Sequence, residues 1–415
     1  MSKLCGVILS VEDIILSHEK VDKNIFAEVT KLIKFLQFKK INFVVFTNRN
    51  LSVKVPQGTI PLKDYLQNGW GQFEYICASD DASIPNKPTA ESTAYVLRKM
   101  GWEPNSVLYI GASENDMKTA VNGNLLFLRA TWYANKTDYG FEFDKPSDVA
   151  KFIDIFCLRE HLWCFGVKDN NFEFYALAPF STMRPEFTLY SADARATAKH
   201  GMGHPDFWVG ALVSSLYFSG LHSRVDYITT YPGHKTGATG NPMNLAMQIF
   251  GKCFRTPAIP DMLIRHTTAV KSQTARNNGG KVDVLNQLNT IHLNPNPTKG
   301  ESRKYARSPL SPGKTVLLID DICTEGNSLV AGKEFIEQTG ASVICVSWLK
   351  TINTDIRTIK SYGAKTFNPY QPQQFLKHTP NQTYGYHQNM TDHMAPQELA
   401  RIFQAYDGWT WPTNL

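Results

Sequence analysis

Apolar residues along this chain fall into short β-favouring runs separated by stretches of helical period, and the runs end in small or polar positions. In the first third, runs at Cys5–Leu9, Phe43–Phe46 and Val107–Ile110 alternate with helical patterns at Val21–Phe38 and Thr89–Met100. This β-α-β order predicts a doubly wound parallel sheet, since parallel neighbours need a crossover helix and such helices cover both faces. A turn-rich stretch, Asp144–Ser147, and an aromatic segment, Trp163–Phe180, precede a second series. It contains an apolar helix around Trp208–Phe218, a strand at Tyr227–Thr230 and a buried strand at Val316–Ile319, followed by a helix beyond Ser328. A tail rich in Gln, Pro, Tyr and His ends in a helical pattern at Pro396–Tyr406 and the aromatic run Trp409-Thr410-Trp411-Pro412. The expected architecture is α/β: two doubly wound parallel-sheet domains at residues 1–150 and 160–370, then a C-terminal tail or hood at 371–415.

At 415 residues the chain is long enough for two cores, and 42% hydrophobic with 19% charged residues is a globular balance. The 43 basic residues exceed the 37 acidic ones by only 6 and are spread along the chain, so no dedicated nucleic-acid surface is expected. The first apolar run, Leu4–Leu16, is broken by Glu12 and Asp13 and is too short for a membrane span; it also lacks a signal-peptide layout. Seven cysteines form no C-x-x-C pair, which argues against a disulfide framework and a zinc ribbon. These features predict a cytoplasmic protein without a membrane partner.

The chemistry concentrates after Val316–Ile319. Asp320 and Asp321 stand at the carboxyl end of that strand, where open α/β sheets bind ligands, placed to accept hydrogen bonds from sugar hydroxyls. Thr324, Glu325, Gly326, Asn327 and Ser328 then make a tight small-residue loop at a helix N-terminus, where unpaired amides and the helix dipole favour a phosphate. This segment resembles the PRPP-binding motif of type I phosphoribosyltransferases, with Glu325 departing from the small or hydroxyl residue usual there. From Lys199-His200-Gly201 onward the order of features resembles the ComF-like subgroup. In that resemblance the loop Tyr231–Gly237, with Gly233 and Lys235, holds the pyrophosphate of PRPP, and Lys235 offers a cation to a charged leaving group. Arg265-His266-Thr267-Thr268, Lys271-Ser272-Gln273 and Arg276-Asn277-Asn278 lie where such enzymes carry a mobile flap; Lys271 and Arg276 are its catalytic candidates, with Arg303, Lys304 and Arg307 behind them. His200 and His204 have H-x-x-x-H spacing, but Gly201, Gly203 and Pro205 interrupt any shared helix face, so no protein-built metal site is expected. Cys323 reads as a packing residue.

The strand ends of the first domain are Ser10, Thr47-Asn48 and Gly111-Ala112-Ser113, with Lys87-Pro88 opening the helix before the third strand. This order resembles the haloacid dehalogenase (HAD) superfamily. The resemblance puts Thr47 and Lys87 at phosphate-holding positions and Asp116 at the later acid of the last motif. Ser10 then occupies the position of the nucleophilic aspartate, Glu12 that of the acid/base, and Ala112 that of a metal-binding aspartate. Serine lacks the charge and metal affinity of a carboxylate, so the resemblance implies a degenerate hydrolase domain that either binds a phosphorylated ligand or packs as a module.

Together these resemblances imply a HAD-like Rossmannoid domain followed by a type I phosphoribosyltransferase fold. The implied activity is transfer of ribose 5-phosphate from PRPP, with Mg²⁺, to a nitrogen acceptor with release of pyrophosphate. Two other functions stay open: a non-enzymatic PRPP or nucleotide sensor in a stress or defence system, and a HAD-type phosphatase. PRPP or a related sugar phosphate is the expected partner, and a homo-oligomer is left open. The aromatic tail either forms a base-binding hood or seals the boundary between the domains.

Overall fold

The computed structural model describes residues 3–56, 58–237, 243–270, 283–300, 303–362 and 366–415. The first unit is built on strands β1 (Gly6–Leu9), β2 (Asn42–Thr47), β5 (Glu74–Cys77), β6 (Val107–Gly111), β7 (Leu126–Ala130) and β8 (Phe141–Phe143), with a small hairpin, β3 (Ser52–Val55) and β4 (Gly58–Pro61), outside the main sheet. The six main strands are parallel, in the order β5-β2-β1-β6-β7-β8. Alternation of side chains explains the two covered faces. Val7 and Leu9 of β1 join Val29, Leu32, Ile33 and Leu36 of helix α1 (Lys23–Phe38) in one apolar cluster, whereas Ile8 joins Tyr109, Phe127 and Val96 on the opposite face. Helix α1 begins two residues after the predicted start because the Asp22 carboxylate accepts hydrogen bonds from the amides of Asn24 (2.9 Å) and Ile25 (3.0 Å). Helices α2 (Leu62–Trp70), α3 (Ala90–Met100), α4 (Glu114–Asn122) and α5 (Pro146–Phe152) complete the layer.

The second unit has a five-stranded sheet, ordered β11-β16-β17-β10-β9. Its strands are β9 (Phe165–Lys168), β10 (Glu173–Phe180), β11 (Tyr227–Thr230), β16 (Thr315–Cys323) and β17 (Ser342–Thr351). All neighbours run parallel except β9, which turns back on β10. The aromatic segment Trp163–Phe180 is therefore the β9–β10 hairpin, and β10 is a partner of β17 inside the sheet. Along β16, Leu317 and Ile319 face helices α6 (Pro185–His200), α7 (Pro205–Phe218) and α8 (Met243–Phe254), while Val316 and Leu318 face the helix Asn327–Glu337. The strand does not stop at Ile319, as its composition suggested; it continues through Asp320 and Asp321 to Cys323 because β17 extends beside it, pairing Asp320 with Ser347 and Cys323 with Lys350. Between β11 and β16 lie two short antiparallel pairs, β12 (Leu263–Arg265) with β13 (Ile291–Leu293) and β14 (Thr298–Lys299) with β15 (Arg303–Lys304). A last hairpin pairs β18 (Ile356–Ser361) with β19 (Thr379–Tyr384). Among the described residues no helix is long and apolar enough to cross a membrane.

The tail reaches both units. Its helix, Ala395–Tyr406, buries Leu399 and Ile402 and sets Phe403 5.0 Å from Phe207 of α7. Beyond it, Trp409 and Trp411 lie edge-on to Phe35 of α1 at 6.4 and 6.2 Å, and the Trp409 indole donates to Asp154 (2.9 Å). Asp154 also pairs with Lys39 at 2.5 Å. His204 Nδ1 meets Asp193 at 2.6 Å and Nε2 meets Asp407 at 2.8 Å, so of the two histidines in the H-x-x-x-H spacing one lies in the last turn of α6 and the other joins two carboxylates.

A proton is needed on each His204 nitrogen, because both face carboxylate oxygens that only accept. The hydrogen bond to Asp193 is the largest influence and that to Asp407 adds to it, raising the imidazole above its ordinary value against the opposing effect of burial. A raised value means that this contribution is complete below the unfolded value of about 6.5 and is lost as pH rises through the folded one. Thermal unfolding monitored from about pH 6 to about pH 9 should show a falling Tm for the wild type and a flatter profile for His204→Gln.

Candidate functional site

In the first unit the carboxyl ends of β1 and β6 and the start of α4 converge on a closed polar cluster. The Lys87 ammonium lies 3.0 Å from Ser10 Oγ, 3.1 Å from Asp116 Oδ1 and 3.2 Å from the Tyr109 hydroxyl. The other Asp116 oxygen accepts from the Ser113 hydroxyl (2.7 Å) and from the amides of Ser113 (3.1 Å) and Ala112 (3.2 Å). Ser113 and Asp116 form a reciprocal capping box that fixes the start of α4. Gly111 permits the approach, since a Cβ there would stand 2.4 Å from Asp116 Cβ.

The cluster is nearly dry: the side chains of Lys87 and Asp116 are 7% and 3% exposed. Burial alone would lift the Asp116 carboxyl; the Lys87 charge and the hydrogen bonds of Ser10 and Ser113 outweigh it and hold the group below its ordinary value. Burial, then the Asp116 charge, pushes Tyr109 well above the usual phenol range. Of the residues picked out in the sequence, Ser10, Lys87 and Asp116 come together. Thr47 is buried nearby but bonds the Arg49 carbonyl (3.2 Å). Glu12, assigned to the acid/base position, turns its carboxylate to the His18 amide (3.0 Å) and lies 4.0 Å from Arg49. Tyr109 was missed; it shares a sheet face with Val107 on β6, so the period of two in that strand points to it.

In the second unit two loops stand at the carboxyl ends of adjacent parallel strands. Tyr231–Gly237 follows β11, and Thr324–Ser328 follows β16. Gly326, at φ +77° and with a Cβ position only 2.8 Å from Ile356 Cγ2, makes the turn into the helix Asn327–Glu337 possible. Asp320 and Asp321 lie on β16 just before that loop, half-buried, each carboxylate accepting the amide of the next residue at 3.0 and 2.7 Å. Burial and the adjacent Asp321 carboxylate raise Asp320 well above the ordinary range, with Arg265 opposing. The arrangement thus places two crowded carboxylates between two loops.

Gly233, Lys235, Thr236 and Gly237 are exposed, and the Ala269 amide donates to the His234 carbonyl at 2.9 Å. Arg303, Lys304 and Arg307 are exposed on or beside the β14–β15 hairpin. Lys271 and Arg276, with Ser272, Gln273, Asn277 and Asn278, lie outside the described residues. Cys323 is buried, which lifts its thiol to about 12. Two cations behind the loops are buried: Arg265, expected at the start of a mobile flap but held inside by Gly233, Gln287 and Thr290, and Lys350, which carried no signal beyond a basic residue at the end of an apolar run.

Residues 11–130 match the model of haloacid dehalogenase-like hydrolases, and this part of the chain is a HAD-like hydrolase domain. Among solved structures the chain is similar to a HAD-superfamily hydrolase from Ehrlichia chaffeensis (16% identity, 37% of this chain and 98% of that one, TM-score 0.27). It is also similar to an uncharacterized protein from Listeria monocytogenes serotype 4b (12% identity, 37% and 98%, TM-score 0.30). A third is a HAD-superfamily hydrolase of subfamily IA, variant 1, from Geobacter sulfurreducens PCA (15% identity, 37% and 99%, TM-score 0.24). No curated protein matches the chain.

Removing one member of the buried Lys87–Asp116 pair strands the other charge. Lys87→Met should destabilise the protein by about 3–5 kcal/mol in urea titrations, and Lys87→Met with Asp116→Leu should recover much of that loss.

Proposed function

We propose that the second unit binds PRPP, or a closely related sugar phosphate, and transfers its ribose 5-phosphate to a nitrogen acceptor. The observation that carries this reading is the placement of the acidic pair Asp320-Asp321 between two loops on adjacent parallel strands. A phosphorylated ribose carrying a pyrophosphate needs that order of groups: amides for the 5-phosphate, hydroxyl acceptors in the middle, and a second loop with a cation for the leaving group. In this reading Thr324–Ser328 hold the 5-phosphate, Asp320 and Asp321 accept from the ribose hydroxyls, and Gly233 and Lys235 face the pyrophosphate. The nitrogen lone pair forms a bond to C1 as the C1–O bond breaks; pyrophosphate leaves with the electron pair, and the nitrogen gives up a proton.

Magnesium fits the donor set, since two crowded carboxylates with little cationic compensation are hard oxygen ligands. Bound there, it would neutralise charge developing on the pyrophosphate. The residues of this chain would orient the ribose and exclude water from C1.

A second reading rests on the first unit. Its membership among HAD-like hydrolases and the buried Ser10–Lys87–Asp116 cluster favour a phosphoester site there, with Lys87 as the anion-binding cation. Against catalysis by it stands the chemistry of Ser10, a neutral alcohol at the attacking position, in a cluster whose charges are already matched.

Calorimetry with PRPP and Mg²⁺ tests the first reading: Asp320→Asn with Asp321→Asn should weaken binding at least about tenfold, near 1.4 kcal/mol. Unchanged affinity would remove the ribose assignment, and binding without pyrophosphate formation in any metabolite extract would replace transfer by sensing. Assays with small phosphate monoesters decide the second. Negligible turnover is expected from the wild type, and Mg²⁺-dependent turnover abolished by Ser10→Ala would establish the phosphatase instead.

A further inference from the structure

Each loop of the second unit has a buried cation behind it that touches the backbone rather than the space between the loops. Lys350, at the end of β17, is 0% exposed, and its ammonium hydrogen-bonds to neutral oxygens. Its ammonium donates to the carbonyls of Thr324 (2.6 Å), Thr351 (3.3 Å) and Thr354, and to the Thr354 hydroxyl (2.7 Å). The Thr354 hydroxyl lies 2.9 Å from the Thr324 carbonyl, tying the loop twice. Arg265, 4% exposed, does the same behind the first loop: Nε donates to the Gly233 carbonyl (2.9 Å), and the two terminal nitrogens reach the Pro232 carbonyl (3.3 Å), Gln287 Oε1 (3.0 Å) and Thr290 Oγ1 (2.5 Å). Its guanidinium also lies over the Tyr231 ring, 5.3 Å from the centroid.

We propose that Lys350 and Arg265 are positioning residues that hold the carbonyls of the two loops inward, so that the loop amides stay directed at an anion. This inference rests on the sugar-phosphate reading of the site and assigns the parts of the anion separately: Lys350 serves the monophosphate loop and Arg265 the pyrophosphate loop. A peptide unit whose carbonyl is held by a cation cannot turn that carbonyl toward the ligand, and the orientation of its neighbours is fixed before binding. Burial pulls Lys350 below its ordinary value, while the nearby Cys323, Asp355 and Glu325 act in the opposite direction.

The experiment titrates the full-length protein with ribose 5-phosphate and, separately, with magnesium pyrophosphate, and follows thermal unfolding in parallel. Lys350→Met should weaken ribose 5-phosphate at least about tenfold and leave pyrophosphate within about twofold; Arg265→Met should do the reverse. Thr354→Ala, which removes one acceptor without stranding a buried charge, should weaken ribose 5-phosphate by about threefold and keeps the test open if Lys350→Met does not fold. Unchanged affinities, or equal loss for both ligands in step with the loss of Tm, would overturn the proposal and leave the cations as ordinary structural residues. Failure of the wild type to bind either probe would overturn the sugar-phosphate reading together with this inference.

Discussion

A charge removed from water must find compensating groups inside the protein, and the fold of this chain is arranged around that requirement. Lys87, Arg159, Arg265 and Lys350 are all buried, and each fixes a place where strands or helices end. Lys87 ties β1, β6 and α4 through Ser10, Tyr109 and Asp116. Arg159 ties the connection between the units to α7, donating to Ser215 Oγ at 3.1 Å and to the His161 carbonyl at 3.0 Å, with Glu398 of the tail helix 4.0 Å away. Arg265 and Lys350 hold the two loops of the second sheet. Apolar packing brings the elements together without direction; these donors choose how the polar chain ends are oriented.

The same constraint separates the two candidate sites. In the first unit the cation and carboxylate meet each other, so their charges are consumed within the cluster. In the second they are kept apart. Arg265 and Lys350 spend their hydrogen bonds on neutral oxygens, while Asp320 and Asp321 crowd each other on β16, with Arg265 only opposing the rise of Asp320. A site of the second kind gains from binding a metal or a hydroxylated ligand, whereas the first must break an internal pair to admit an anion. That difference is the physical argument for a ligand in the second unit, whereas the family match supports the first.

Much of this was legible in the sequence for a physical reason. Runs such as Val107–Ile110 and Val316–Ile319 are apolar at every position because both faces of a parallel sheet are covered, and their ends carry the polar chemistry. Gly326 was readable because a positive φ and the nearby Ile356 leave room for nothing larger. Length was harder. β16 extends past its apolar run because β17 supplies hydrogen bonds to Asp320 and Ile322, a partner 20 to 30 residues away that local composition does not reveal. Lys350 was invisible, and Arg265 was read as part of a mobile flap, for a related reason: a lysine or arginine in isolation reads as solvated, and only the packing of distant segments shows which ones are taken out of water. Glu12 stands apart from the cluster for a local reason: its neighbour Asp13 occupies a left-handed turn at φ +59°, and the Glu12 carboxylate accepts from the His18 amide.

The two units are joined by more than a linker. One apolar cluster runs from Leu4 through the central strands of both sheets to Ile402, with Leu415 packed against it. Gly210 of α7 lies so close to Phe156 that a Cβ would stand 2.5 Å from its ring, and the Tyr217 hydroxyl donates to the carbonyl of Val107 at the start of β6. Helix α8, which follows the segment containing the first loop of the second unit, ends against the β7–β8 connection: the Gly140 amide donates to the Lys252 carbonyl at 3.0 Å, and Arg255 lies 5.5 Å from the Tyr139 ring. That connection in turn reaches α4, where the Thr137 hydroxyl donates to Glu114 at 2.9 Å, two residues before Asp116. The first unit therefore forms one wall of the second unit's core. The strands and helices of the HAD-like domain thus support the helix that leads back to the neighbouring site.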